Sequence, residues 1–351
     1  MPSGGTRGRA VNRHAAPGHG LAPPPAWIGV VGTAGSRPRY DLRHMPVAVL
    51  SADSGGTATA APLAPPLKWA GGKRWQVPFL APLWRPHAHR RLVEPFCGGL
   101  AVALGLRPER ALLNDVNPHV IAFYRWLQRG LRIDLPLEND ETLYYAHRVR
   151  YNALLAAGEG DGAEAAGLFY FLNRTGYNGL CRFNRAGGFN VPFGSYKRIR
   201  YTRDFAAYRE VLAPWVFTHG DIESIPFADD DFVYADPPYD VPFTHYARGG
   251  FSWDDQVRAA TRLAAHAGPV VLVNQATPRV VELYASLGFE LRYLDAPRRI
   301  SCTGDRTRAR EVLASRNLQP VAGSAPGSAP GSAPGSATGS AAGSAAGSAG
   351  G

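Results

Sequence analysis

Four segments of this chain combine residue types that can do chemistry. Asp236-Pro237-Pro238-Tyr239 follows the apolar run Phe232-Val233-Tyr234-Ala235. Two consecutive prolines stiffen the backbone and leave carbonyl oxygens with no amide hydrogen beside them. A carboxylate next to such a carbonyl can accept both hydrogens of an exocyclic amine, and a tyrosine beside them can stack on a planar base. A proline-rich turn closing a strand would use the same residues. The second segment is Val93-Glu94-Pro95-Phe96-Cys97-Gly98-Gly99-Leu100, also closing an apolar run. Its glycines allow a tight turn and close approach of a ligand. Asp115 ends the next run, Leu112-Leu113-Asn114-Asp115, and an acid at that spacing suits a ribose diol. It equally suits a cap for the helix that Asn117-Pro118 begins. The dinucleotide spacing G-x-G-x-x-G is absent.

The third segment is Leu67-Lys68-Trp69-Ala70-Gly71-Gly72-Lys73. Paired glycines flanked by lysines can cradle an anion, although the spacing of a phosphate-binding P-loop is not met. The fourth runs from residue 165 to 203, with no Asp or Glu over 39 residues. It holds seven basic side chains: Arg174, Arg182, Arg185, Lys197, Arg198, Arg200 and Arg203. Nine aromatics interleave with them, among them Tyr177, Phe183, Phe189, Phe193 and Tyr196. Cations with aromatics suit phosphate neutralisation and base stacking.

These segments need a frame that brings them together. Apolar runs at 91–96, 111–115, 232–235, 270–273 and 289–294 read as strands. Helical periodicity marks 118–129, 141–157, 204–212, 253–266 and 278–287. Such alternation predicts an α/β sheet with helices on both faces, whose ligands sit beyond the carboxyl ends of the strands. The alternation breaks down between 165 and 230, which marks an inserted module. Residues 1–64 are an Arg/Gly/Pro/Ala-rich leader expected to be disordered, and residues 320–351 are a Gly/Ser/Ala/Pro low-complexity tail. Met45, one of two methionines, is a candidate natural start.

The chain of 351 residues has net charge +10. That favours a polyanionic partner. The leader supplies six arginines against two aspartates, and the seven basic residues of the acid-free stretch more than account for the remaining excess, so the rest of the core is near neutral. No apolar run is long enough to span a membrane, and no signal-peptide core is present. Three cysteines, Cys97, Cys181 and Cys302, show neither zinc spacing nor a disulfide framework, which points to a reducing cytoplasm.

Taken together, the segments resemble the Dam-type family of DNA adenine-N6 methyltransferases, the D12 class. The resemblance rests on Lys68-Trp69-Ala70-Gly71-Gly72-Lys73, Glu94-Pro95-Phe96-Cys97-Gly98-Gly99, Asn114-Asp115, Tyr177-Asn178-Gly179-Leu180-Cys181-Arg182-Phe183-Asn184, Gly188-Phe189-Asn190-Val191-Pro192-Phe193-Gly194 and Asp236-Pro237-Pro238-Tyr239, in that order. Arg298-Arg299-Ile300-Ser301 through Glu311-Val312-Leu313 resembles the family's last strands. The resemblance covers about residues 65–318.

What it implies is a Rossmann-like S-adenosylmethionine methyltransferase domain over 65–319, with a mostly helical and loop target-recognition insert at about 130–215. The sheet would have seven strands, mostly parallel, with an antiparallel last strand. Trp69, Lys73, Phe96, Gly98, Asp115, Asp221, Ile222 and Asp236 would hold S-adenosyl-L-methionine, with Asp115 on the ribose and Asp221-Ile222 at the adenine. Asp236, Pro237, Pro238 and Tyr239 would carry catalysis on a base flipped from double-stranded DNA. Lys68 and Arg182 would read guanines, Leu180 and Pro192 would touch a thymine methyl, and Tyr177 would fill the space left by the flipped base. Asn178, Asn184 and Lys197 complete the DNA-facing set, and the implied site is GATC. The family also implies a cytoplasmic monomer of bacterial or phage origin, without metal or membrane, in some members paired with a restriction enzyme. Two alternatives stay open: an inactive DNA-binding homologue, and a methyltransferase acting on cytosine N4 or RNA. Leu100 stands where many members have another glycine, and is expected to alter the cofactor loop.

Overall fold

The computed structural model describes residues 63–240, 250–296 and 309–318. The leader through residue 62, the tail from 319 and the segment 298–301 lie outside the described residues, as does Met45.

Seven strands form one sheet in the order β3-β2-β1-β4-β5-β7-β6. They are β1 (Leu92–Glu94), β2 (Ala111–Asp115), β3 (Trp215–His219), β4 (Phe232–Ala235), β5 (Val270–Gln275), β6 (Glu290–Ala296) and β7 (Ala309–Arg316). β3, β2, β1, β4 and β5 are parallel; β7 runs antiparallel between β5 and β6. The eight helices of the described residues are α1 (Val77–Trp84), α2 (Ala101–Leu106), α3 (Pro118–Gln128), α4 (Glu141–Ala156), α5 (Ala163–Thr175), α6 (Ala206–Leu212), α7 (Trp253–Ala264) and α8 (Pro278–Ser286). β1, β2 and β4 are buried along their whole length, as parallel strands covered on both faces must be.

Two apolar clusters flank the sheet. One joins Leu92, Leu113, Phe217, Phe232 and Val273 with residues of α1 to α6. The other joins Val93, Leu112, Val233, Val270 and Leu272 with residues of α7 and α8. Capping sets where the helices begin. Asn117 accepts from the His119 amide ahead of Pro118 in α3, and Ser252 and Asp255 form a reciprocal capping box at α7.

The acid-free stretch differs from its expected reading. Its first eleven residues belong to α5, which buries ten of its thirteen residues, including Phe169, Tyr170 and Phe171. A helix buried all round shows no polar stripe, so its period is hidden in the sequence. Phe123 stacks on Tyr170 at 6.0 Å, and Phe205 meets Tyr170 edge-on at 5.2 Å. About half of the aromatics taken for base-stacking candidates are therefore core. β3 also falls inside the stretch where alternation seemed to fail. It is an edge strand paired only to β2, and Val216 is exposed.

Leu100 adopts the left-handed conformation (φ 60°, ψ 23°) at the start of α2. Its side chain is fully buried in the first cluster and does not line the ligand cavity described below. The departure from glycine is thus met by backbone strain and core packing, not by crowding of the loop. Relief of left-handed strain is worth about 1–2 kcal/mol, less than the 2–5 kcal/mol typical for emptying a buried leucine site. Leu100→Gly is therefore expected to lose about 2 kcal/mol of stability in denaturant unfolding; a stabilised variant would contradict this balance.

Candidate active site

The carboxyl ends of β1, β2 and β4 meet at one cavity of about 600 Å³. β1 delivers the turn 97–100. Its form is set by Cys97 N–H donating to the Asn114 carbonyl at 2.8 Å and Leu100 N–H donating to the Cys97 carbonyl at 2.9 Å. The Trp69 indole lies directly on the glycines. A Cβ at Gly98 would stand 2.6 Å from Trp69 Nε1, and one at Gly99 2.7 Å from Trp69 Cβ, so no side chain fits at either position. Gly98 also has φ +43°.

Asp115 ends β2 and braces both neighbours. Its Oδ2 accepts from Gly98 N–H at 3.0 Å and its Oδ1 from Asn117 N–H at 2.9 Å. Burial nevertheless pushes its carboxyl up to about 6, against the pull of these two bonds. Glu94, at the end of β1, is buried with Oε1 lacking a partner, and burial raises it well above the usual carboxylate range. It lines the cavity and was not among the expected site residues. The signal was present, since Glu94 opens the same motif as Phe96 and Gly98.

β4 delivers Asp236. Lys73 Nζ lies 2.9 Å from both of its oxygens and also donates to the Gly71 carbonyl at 2.9 Å. The same ammonium stands 4.5 Å from the centre of the Tyr239 ring. Burial raises Asp236 despite the lysine. Gln256 Nε2 donates to the Pro238 carbonyl at 2.6 Å, and Gln256 Oε1 accepts from Asn274 at 3.1 Å. This buried relay fixes the loop from the α7 side.

The cavity wall thus carries three desolvated carboxyl groups, Glu94, Asp115 and Asp236, of which Asp236 is paired with the ammonium of Lys73. Such a wall favours a ligand bearing fixed positive charge, which would stabilise the ionised carboxylates. An orphaned carboxyl oxygen and a glycine turn lining the cavity beside the Trp69 indole fit a cationic, nucleoside-bearing cofactor. Among the described residues no cluster of His, Cys, Asp or Glu could hold a metal ion, and no helix is long and apolar enough to cross a membrane.

The insert closes the other side. Leu180, Arg182 and Asn184 line the same cavity as Trp69, Phe96, Pro237 and Tyr239. Residues 182–190 form a small hairpin, with Phe183 opposite Phe189. The Asn184 side chain accepts from the amides of Ala186 and Gly188 at 3.0 and 2.9 Å, holding the tip. Asn190 Oδ1 and its carbonyl accept from the Arg182 guanidinium at 2.8 and 3.2 Å. Tyr177 is half exposed, Asn178 is left-handed (φ 52°), and Pro192 accepts from the Tyr177 amide at 2.9 Å. Pro192 and Lys197 are exposed.

Asp221-Ile222, expected at the cofactor, and Lys68, expected at the DNA, both lie off this cavity wall. Asp221 does not line the cavity; it caps a short turn after β3 and pairs with Arg258 through both oxygens at 2.6 and 2.9 Å. Ile222 is buried in the cluster under α7 and α8. Lys68 also lies off the cavity wall. Its ammonium donates to the Arg174 carbonyl and sits 3.3 Å from the Tyr196 ring centre. Burial, then Arg174, pulls its pKa down to about 8. The Lys68 backbone is held by Asn173, whose side chain bonds its amide and carbonyl at 2.8 and 2.9 Å.

Comparisons with known proteins agree with this geometry. The D12 class N6 adenine-specific DNA methyltransferase family matches residues 69–300. The chain is 36% identical over 270 residues to a DNA adenine methylase of Vibrio cholerae, covering 71% of this chain and 94% of that protein. It is 36% identical over 258 residues to a DNA N-6-adenine-methyltransferase of Escherichia phage P1, covering 68% of this chain and 33% of that protein. A Type II methyltransferase of Lactococcus lactis is 32% identical over 262 residues, covering 67% of this chain and 89% of that protein.

A pH test follows from Asp115. Its folded-state pKa of about 6 lies above the ordinary 3.8, so the ionised group opposes folding. That penalty is absent below 3.8, develops as pH rises between 3.8 and about 6, and is complete above. The stability of the ligand-free protein relative to Asp115→Asn should therefore fall across this window in urea titrations. Parallel pH curves for the two proteins would contradict the assignment.

Proposed function

The chain belongs to the D12 class N6 adenine-specific DNA methyltransferase family, and from that premise we propose that it moves the methyl group of S-adenosylmethionine to adenine N6 within GATC in double-stranded DNA. The observation that carries the reading is the buried Asp236–Lys73 pair beside Tyr239 at a carboxylate-lined cavity. S-adenosylmethionine, when bound, supplies an electrophilic methyl on a cationic sulfonium. Trp69, Phe96, Gly98 and Asp115 would hold it, Asp115 through the ribose hydroxyls, with Glu94 as an added acceptor for its cationic groups.

The remaining chemistry belongs to the chain. A paired adenine hides its amine, so the base leaves the helix before reaction. Asp236 and the Pro237 carbonyl accept the two N6 hydrogens, which aims the nitrogen lone pair at the methyl carbon. Tyr239 stacks on the base. Lys73 offsets part of the cost of ionising Asp236 in this desolvated setting. The nitrogen attacks first and loses its proton afterwards, so positioning and polarisation supply the rate. The chain contributes the geometry and needs no strong base.

DNA reading falls to the insert. The Asn190 side chain holds one edge of the Arg182 guanidinium, which leaves the other to meet the O6/N7 edge of a guanine. Lys68 is proposed for the second guanine, with Leu180 and Pro192 at the thymine methyl and Tyr177 in the gap left by the flipped base. Arg182→Ala should lose about 1–3 kcal/mol of discrimination at one base pair, measured as methylation of near-cognate duplexes. Unchanged preference would sink that assignment.

The reaction is tested by incubating the full chain with S-adenosylmethionine and an unmethylated GATC duplex, then analysing nucleosides by mass. N6-methyladenine confined to GATC is expected. DNA binding without methylation, or N4-methylcytosine, would overturn the reading.

A further inference from the structure

Glu311 is a buried acid that the reaction as derived leaves unused. It stands on β7, the strand whose sequence resembles the family's closing segment. Its Oε2 accepts from Gln76 Nε2 at 2.6 Å, and Gln76 Oε1 accepts from the Tyr234 hydroxyl at 2.9 Å. Gln76 is wholly buried, so the carboxylate rests on a fixed seat held from the N-terminal side and from β4.

The groups facing that carboxylate are Lys73, Asp236 and Tyr239. Burial raises Glu311, Lys73 lowers it, Asp236 raises it, and Tyr239 and Gln76 lower it. The Tyr239 hydroxyl is itself buried. It comes close enough to Glu311 for each to shift the other's titration, yet it forms no hydrogen bond of ordinary geometry among the described residues. A buried hydroxyl without an acceptor is costly, and each such group calls for a structural or functional explanation. The Lys73 ammonium, 4.5 Å from the ring centre, already limits the Tyr239 ring on one side.

We propose that Glu311 is a positioning residue for Tyr239: its carboxylate takes the phenol hydrogen when the target base is seated, and so sets the plane on which the base stacks. The proposal rests on the reading that Tyr239 stacks on the flipped adenine. Glu311 touches neither base nor cofactor and acts through the ring. Gln76 and Tyr234 keep the carboxylate from following the ring, so the hydrogen bond aligns Tyr239 instead of displacing Glu311.

The test is a double-mutant cycle in the full chain: wild type, Glu311→Gln, Tyr239→Phe and the double variant, with kcat and KM measured for S-adenosylmethionine and GATC duplex. Phenylalanine still stacks, so Tyr239→Phe isolates the hydroxyl. Misaligning a reacting base by a fraction of an ångström lowers kcat steeply, and each single change should reduce kcat on the order of tenfold. KM for S-adenosylmethionine should stay within about twofold, and the double variant should fall no further than the poorer single. A purely structural Glu311 would give multiplicative losses. Multiplicative losses, wild-type kcat in Glu311→Gln, or wild-type kcat in Tyr239→Phe would each overturn the proposal. The Tyr239→Phe arm decides even where Glu311→Gln fails to fold. With a wild type inactive on DNA, the reading of function falls and this inference with it; with an active wild type and independent losses, this inference alone falls.

Discussion

The buried contact between Lys73 and Asp236 is the interaction around which the rest of the site is organised. Asp236 leaves the end of β4 and Lys73 comes from a loop 163 residues earlier, so the pair ties the N-terminal loop to the centre of the sheet. Removing one partner of such a pair leaves an uncompensated buried charge, a loss of about 3–5 kcal/mol in comparable settings. Here even the intact pair is under-compensated. Glu94, Asp115, Asp236 and Glu311 all titrate upward because burial outweighs the stabilisation each receives. A site so placed has its charge deficit built in before any ligand arrives. That deficit gives a cationic cofactor an electrostatic reason to bind beyond the shape of the glycine turn.

The same N-terminal loop joins two parts of the molecule. Lys68 is fastened to the insert through Asn173 and abuts Gly179, where an added Cβ would stand 2.5 Å from Lys68 Cβ. Its neighbour Trp69 covers Gly98 and Gly99 in the turn after β1. One dipeptide therefore contacts both the insert and the glycine turn, with Lys73 a turn further on at Asp236. Helix α5, which carries Asn173, packs into the same core as the sheet, so the insert is anchored to the catalytic domain through shared apolar packing.

Much of this was legible from residue order. Asp115 and the glycine turn, the Asp236 loop and helices α3, α4, α6, α7 and α8 follow from turn chemistry and periodicity acting locally, whereas the short α1 and α2 carry too few turns to show a period. What escaped did so for physical reasons. α5 has no polar stripe because it is buried all round, and β3 is short and half exposed, so neither carries a clear period. Asp221 has the expected residue type but spends its charge on Arg258, a partner 37 residues away. Lys68 rests its ammonium against Tyr196 and a backbone carbonyl, contacts that its sequence neighbours do not announce. Side-chain partners of this kind depend on tertiary contacts that no local pattern encodes.

The central claim is that the desolvated carboxyl groups lining the cavity create the demand for a cationic cofactor. The most direct measurement is calorimetric proton release on binding S-adenosylmethionine, compared with its neutral-sulfur product S-adenosylhomocysteine, near pH 6 in buffers of different ionisation enthalpy. The sulfonium carries one more positive charge, so the account predicts greater proton release for S-adenosylmethionine as the raised carboxyl groups ionise. Equal proton release for the two ligands would contradict it.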